Sequence, residues 1–142
     1  MTFENDEARK NFLKYAFTSI DKEHKIPEGY RSSVLNDLTN GERVEDVEEL
    51  LFLTGVINCQ KLSKMNGNEK ISKDVTDRYF LGPHNEISDC KAYIGNVTKV
   101  NRKSVRIETP QGNKLFKNIL EPNLEIGDSA IVHGDYVIKV LK

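Results

Sequence analysis

Cys90 and His133 are the residues of this chain whose types and setting point to chemistry. A thiolate is a nucleophile and a soft ligand for iron, zinc or copper. Cys90 follows the polar pair Ser88-Asp89, which predicts partial exposure. An imidazole binds metals and carries protons near neutral pH. His133 stands directly before Gly134, at the end of an expected strand. Each residue also has a plain reading. A free cysteine usually packs as a small hydrophobe, and a histidine at a turn is usually solvated. The distance between them in sequence is no obstacle, because the last hairpin of a small closed barrel returns beside the first strand. Two ligands do not make a structural zinc site, which needs four. They suit a metal that brings its remaining ligands or shares them with a partner. His84, in Gly82-Pro83-His84, is the additional candidate ligand, although a loop explains that run as well. Cys59 reads as core, and His24 in its charged connector suggests nothing. No Ser/His/Asp order, GxSxG, HExxH or P-loop is present, so the expected function is not enzymatic.

The segment that must position Cys90 and His133 runs from Cys90 to Lys142. Val97, Val100, Val105 and Ile107 alternate with Thr98, Arg106 and Glu108, the period of a half-buried strand. Asn101-Arg102-Lys103-Ser104, Pro110-Gln111-Gly112-Asn113 and His133-Gly134-Asp135 punctuate the strands. Five short strands with turns about every ten residues predict a barrel or sandwich. Gly95, inside the first strand, predicts a bulge or a close backbone approach. Pro122 predicts a loop or single helical turn between the third and fourth strands.

The preceding residues read as helices. Phe12, Leu13, Tyr15, Ala16 and Ile20 give helical spacing over Glu4–Ile20. A short helix is expected over Tyr30–Leu38, with Asn40-Gly41 as its cap. The strongest pattern spans Val44–Leu62, with Val47, Leu50, Leu51, Thr54 and Ile57 on one side. Ser72 should cap a last helix carrying Val75, Tyr79 and Phe80, ending at Gly82-Pro83. Residues 84–89 read as a link.

Net charge is −1, divided unevenly. Residues 1–89 hold 12 Lys/Arg and 17 Asp/Glu, and residues 90–142 hold 9 and 5. The step from −5 to +4 suits an anionic partner or, slightly better, mutual attraction of the two halves. The basic residues Lys99, Arg102, Lys103, Arg106, Lys114 and Lys117, with Tyr93 and Phe116, raise single-stranded nucleic acid as a ligand. Few aromatics and a pI of 6.3 disfavour it. No apolar run reaches the roughly 20 residues of a membrane span, and the first residues lack a signal-like core. Two cysteines are too few for a disulfide framework, so a cytoplasmic setting with reduced thiols is expected.

The barrel segment resembles the HypC/HupF family of nickel–iron hydrogenase maturation chaperones. That family opens its first strand with C-x-A-x-x-G-x-V-x-x-V, matched here by Cys90, Ala92, Gly95, Val97 and Val100. Its closing segment, V-G-D-x-x-x-V-H-x-G-F/Y, is similar to Ile126-Gly127-Asp128 followed by Val132-His133-Gly134-Asp135-Tyr136. Cys90 and His133 fall on the family's functional cysteine and histidine. Ile94 stands where the family has proline, and 89 residues precede the cysteine. Lys14-Tyr15-Ala16-Phe17 and the run from Val75 to Glu86 also look like larger bacterial proteins of unknown function that end in a similar barrel. The resemblance implies an OB-like barrel that carries iron bearing CO and cyanide. It also implies docking on a maturation scaffold or a metalloenzyme large-subunit precursor. Tyr93, Gly95 and Tyr136 are the candidate partner-binding residues.

The expectation is therefore an α+β chain. A helical domain, residues 1–86, packs on a small antiparallel OB-like, HypC-like barrel, residues 87–142. The expected function is an accessory chaperone with Cys90 and His133 as metal ligands and no membrane contact. The alternative is a small OB-like binding module for single-stranded nucleic acid or a protein, with Cys90 structural.

Overall fold

The computed structural model describes residues 3–23, 53–87, 91–120 and 123–141. The chain is α+β and divides into two compact units, Met1–Ser88 and Asp89–Lys142.

The first unit is helical. Asn5 accepts the Ala8 N–H through Oδ1 at 2.8 Å and so caps α1 (Asp6–Glu23), whose first turn carries Asp6 and Glu7. Its apolar stripe is buried from Phe12 to Phe17, apart from Lys14. α2 spans Leu53–Met65. Residues 44–52, where the long helix was expected to begin, lie outside the described residues, as does the expected helix at 30–38. The buried side of α2 carries Val56, Cys59 and Ser63, one stripe at helical spacing. Ile57, read as part of the apolar side, is instead 43% exposed. It lies one position along from Val56, which turns it by about 100° and off the stripe. Ser63 Oγ donates to the Lys70 carbonyl at 2.7 Å and fastens the turn into the next helix.

Ser72 caps α3 (Lys73–Leu81) as expected, accepting the Val75 N–H at 3.2 Å. Gly82 ends it, its N–H donating to the Tyr79 carbonyl. The link expected after Gly82 is instead a short helix, α4 (Pro83–Ile87). Pro83 suits its first position, where the missing N–H costs nothing. Phe80 centres the aromatic core of this unit. It stacks on Tyr15 at 4.4 Å and 4° and lies 6.1 Å from Phe12.

The second unit is a five-stranded sheet: β1 (Ala92–Val100), β2 (Ser104–Thr109), β3 (Gly112–Lys117), β4 (Ser129–His133) and β5 (Tyr136–Leu141). The order is β1-β2-β3-β5-β4, and β4 pairs back onto β1, so the pairings close on themselves. The sheet is mixed and not wholly antiparallel as expected, because β3 and β5 run parallel where Lys117 meets Tyr136. An odd number of strands in a closed ring cannot alternate direction all the way round. One parallel neighbour is therefore unavoidable.

The interior is filled by Val97, Val105, Ile107, Phe116, Leu124, Ala130, Val132 and Val137. These come from every strand and from the segment before β4. Between Val97 and Lys99 the register slips by one residue, so Thr98 is extra in β1. Val97 binds the approach to β4 twice at this slip: its N–H donates to the Asp128 carbonyl, and its carbonyl accepts the Gly127 N–H. Gly95 lies in a close backbone approach. A Cβ there would stand 2.5 Å from the Glu108 carbonyl oxygen and 2.5 Å from Ile107 Cγ2.

Candidate functional site

His133 closes β4. Its backbone lies opposite Ala92 in β1 and Tyr136 in β5, so the ends of three strands meet at this residue. The side chain is 0% exposed, against the expectation of a solvated histidine at a turn. The sequence did carry a signal for this. Ala130, Ile131 and Val132 precede His133 without a polar break, and all of them are buried. Such a run marks a strand covered on both faces, which alternation alone does not predict.

The turn after His133 consists of Gly134 and Asp135. Gly134 has φ +61°, the left-handed region favoured by two-residue hairpins of primed type. The Asp135 carbonyl accepts the Lys117 N–H at 2.7 Å, and Lys117 Nζ lies 5.2 Å from the centre of the Tyr136 ring. The β4–β5 turn is thereby tied to the end of β3.

The remaining site candidates have the following places. Cys90 lies outside the described residues. Ala92, two residues later, is buried opposite His133. Tyr93 is partly buried against the sheet core. Gly95 is pressed on β2, and Tyr136 is buried under Lys117. His84 belongs to α4 in the helical unit, buried beside Phe80 at 4.8 Å and Tyr79 at 5.9 Å between ring centres. Among the described residues, no three His, Cys, Asp or Glu gather as a metal-ligand group. No helix among them is long and apolar enough to cross a membrane.

The helical unit also holds a polar cluster that sequence reasoning missed. Asp77 Oδ1 accepts the Tyr15 hydroxyl at 2.8 Å and Asn11 Nδ2 at 3.1 Å. Asp77 and Tyr15 lie 62 positions apart, and no local pattern announces the pair. Burial first, then the nearby Asp77 carboxylate, pushes the Tyr15 phenol far above its usual value. The cluster joins α1 to α3 and keeps its proton.

Cys59 is fully buried, as its position on the helix predicted, and burial pushes its thiol up to about 12. The side chain is therefore a thiol at physiological pH and not a nucleophile. Thiol reagents are expected to label Cys59 only after denaturation. Rapid labelling of Cys59 in the native protein would contradict this. The elevated value also sets a pH dependence. The thiol of the unfolded chain ionises near 9.0, below the folded value, so unfolding releases protons above that pH. Stability should hold below pH 9 and then fall, by roughly 1 kcal/mol from Cys59 at pH 10. Urea midpoints from pH 7 to 10, compared with Cys59→Ala, measure this directly.

No family model matches the chain, and no curated protein is significantly similar to it.

Proposed function

We propose that this chain is a HypC-like accessory protein of metalloenzyme maturation. Its closed sheet is read as an OB-like barrel, and Cys90 is the residue that captures cargo or client. The reading is not enzymatic and places the protein in the cytoplasm, where its thiols stay reduced.

The observation that carries this reading is the register pair of Ala92 and His133. Ala92 stands two positions after Cys90 in the sequence and is the residue that β1 sets opposite His133. That pairing supports reading Cys90 and His133, the two residues that match the family motif, as one site. Five strands in closed order and a long connection between β3 and β4 support the OB-like reading.

One thiolate and one imidazole suit an iron cargo whose other positions are filled by CO and cyanide. The buried imidazole sets a condition on this. His133 must turn out of its packing to reach a cargo, whereas Cys90 needs no such cost in the reading. Cys90 is therefore the main capture residue and His133 the weaker one. A maturation scaffold or a large-subunit precursor is the partner this reading implies.

The test is anaerobic co-purification with the candidate partner, counting iron and recording infrared bands for CO and cyanide. Wild type should carry both, and Cys90→Ala should lose both while keeping its circular dichroism. Equal iron in the two proteins, or none in wild type, would overturn the proposal. A plain binding module is the second reading, favoured by the packed state of His133 together with the exposed basic face of the sheet.

A further inference from the structure

The outer face of β1, β2 and β3 carries a charge pattern that the capture reading does not use. Register places Lys99, Arg106 and Leu115 side by side across the three strands. Cross-strand partners project on the same face, so these three side chains form one row. Ser104 and Lys117 form the next pair along. Arg102 and Lys103 extend the cationic edge through the β1–β2 turn. Between Ala92 and Lys117 the chain holds six Lys/Arg against one acidic residue, Glu108. All six cations are exposed. Among the described residues, Lys99, Arg102, Lys103 and Arg106 make no ion pair. Leu115, at the β3 end of the row and two residues before Lys117, is 55% exposed.

An exposed leucine at the end of a cationic row, with Arg106 across from it and Lys117 along its strand, fits a partner with an apolar anchor flanked by carboxylates. Burying the anchor supplies apolar contact, and the carboxylates supply steering and register. A single-stranded nucleic acid would offer the right charge, but its bases need exposed aromatic rings to stack on. Phe116 and Tyr136 are buried, and Tyr93 packs against the sheet core. We infer that the outer face of β1–β3 docks an acidic polypeptide segment whose apolar side chain seats on Leu115 between Arg106 and Lys117. This inference does not rest on Cys90.

Fluorescence anisotropy of the full chain at low and high salt tests it. Three probes are used: a synthetic peptide repeating Glu-Glu-Leu-Glu, the same peptide with Ser for Leu, and an oligothymidylate. The leucine peptide should bind most tightly, and its affinity should fall steeply with salt. Lys99→Gln with Arg106→Gln should weaken it roughly a hundredfold, and Leu115→Ser roughly tenfold, down to the level of the serine peptide. Cys90→Ala should bind like wild type, which separates this face from the capture site. These positions are exposed, and unchanged far-ultraviolet dichroism checks that each variant is folded. An oligothymidylate that binds more tightly than both peptides would overturn the inference in favour of nucleic acid. No peptide binding at low salt, or equal binding by wild type and variants, would overturn it outright.

Discussion

Gly95→Ala is expected to destabilise the sheet unit by about 3 kcal/mol, and Gly95→Val to prevent it from closing. The added methyl would meet the Glu108 carbonyl oxygen and Ile107 Cγ2, both at 2.5 Å. Neither neighbour is free to move. The carbonyl belongs to the β2 backbone, and Ile107 is fully buried in the interior. Relief would require β1 to lift from β2 beside the pairs Asn96–Glu108 and Val97–Ile107. The cost is steric and not conformational, because Gly95 lies within an extended strand. Urea denaturation of the variant beside Gly112→Ala makes the distinction. At Gly112 a Cβ meets nothing within 4 Å but φ is +111°, so the penalty there is backbone strain alone. A Gly95→Ala protein as stable as wild type would show that β1 and β2 do not approach this closely.

Phe80→Ala should cost the helical unit about 4 kcal/mol. The ring touches elements from both ends of the unit: Phe12 and Tyr15 on α1, its neighbour Tyr79, and His84 on α4. The Tyr15 stack would lose its face. The Tyr15 hydroxyl is also committed to Asp77, so its ring cannot collapse into the space without breaking that bond. A void that cannot be filled is the costly kind. Phe80→Leu should recover more than half of the loss. A Phe80→Ala variant within 1 kcal/mol of wild type would mean that the four rings do not share one core.

The features legible in the sequence were those fixed by a few adjacent residues. Ser72 caps because its own hydroxyl reaches the Val75 amide. The Pro110-Gln111 and Gly134-Asp135 turns follow from residues suited to those backbone angles. Gly95 announced a close approach because nothing larger fits beside β2. Hidden features depend on distant partners. The extra residue at Thr98 is fixed by how Val97 holds the loop before β4, some 30 positions away. The parallel pairing of β3 and β5 follows from ring closure and not from either strand's composition. Ile57 looked buried because one apolar residue beside a true stripe cannot be told from a member of it. At the candidate site, the residue types of Cys90 and His133 were legible, and so was the hairpin that ends at His133. The burial of His133 was signalled only by the unbroken apolar run Ala130-Ile131-Val132 before it, which a reading by alternation passes over.

The ring is held unevenly. β1 pairs with β4 from Ala92–His133 to Asn96–Ser129, whereas among the described residues β3 meets β5 only where Lys117 faces Tyr136. That junction is the seam of the ring. Its Lys117 amide, bonded to Asp135, should exchange with deuterium through local opening, while the Val132 and Ile131 amides wait for global unfolding. When the seam parts, β3 and β5 each become a free edge able to accept another strand. The positive charge of Lys117 at that edge opposes pairing with a second copy of the same edge, where the same charge would sit opposite it. A neutral substitution at Lys117 would therefore remove a guard against self-association as well as the cap over Tyr136.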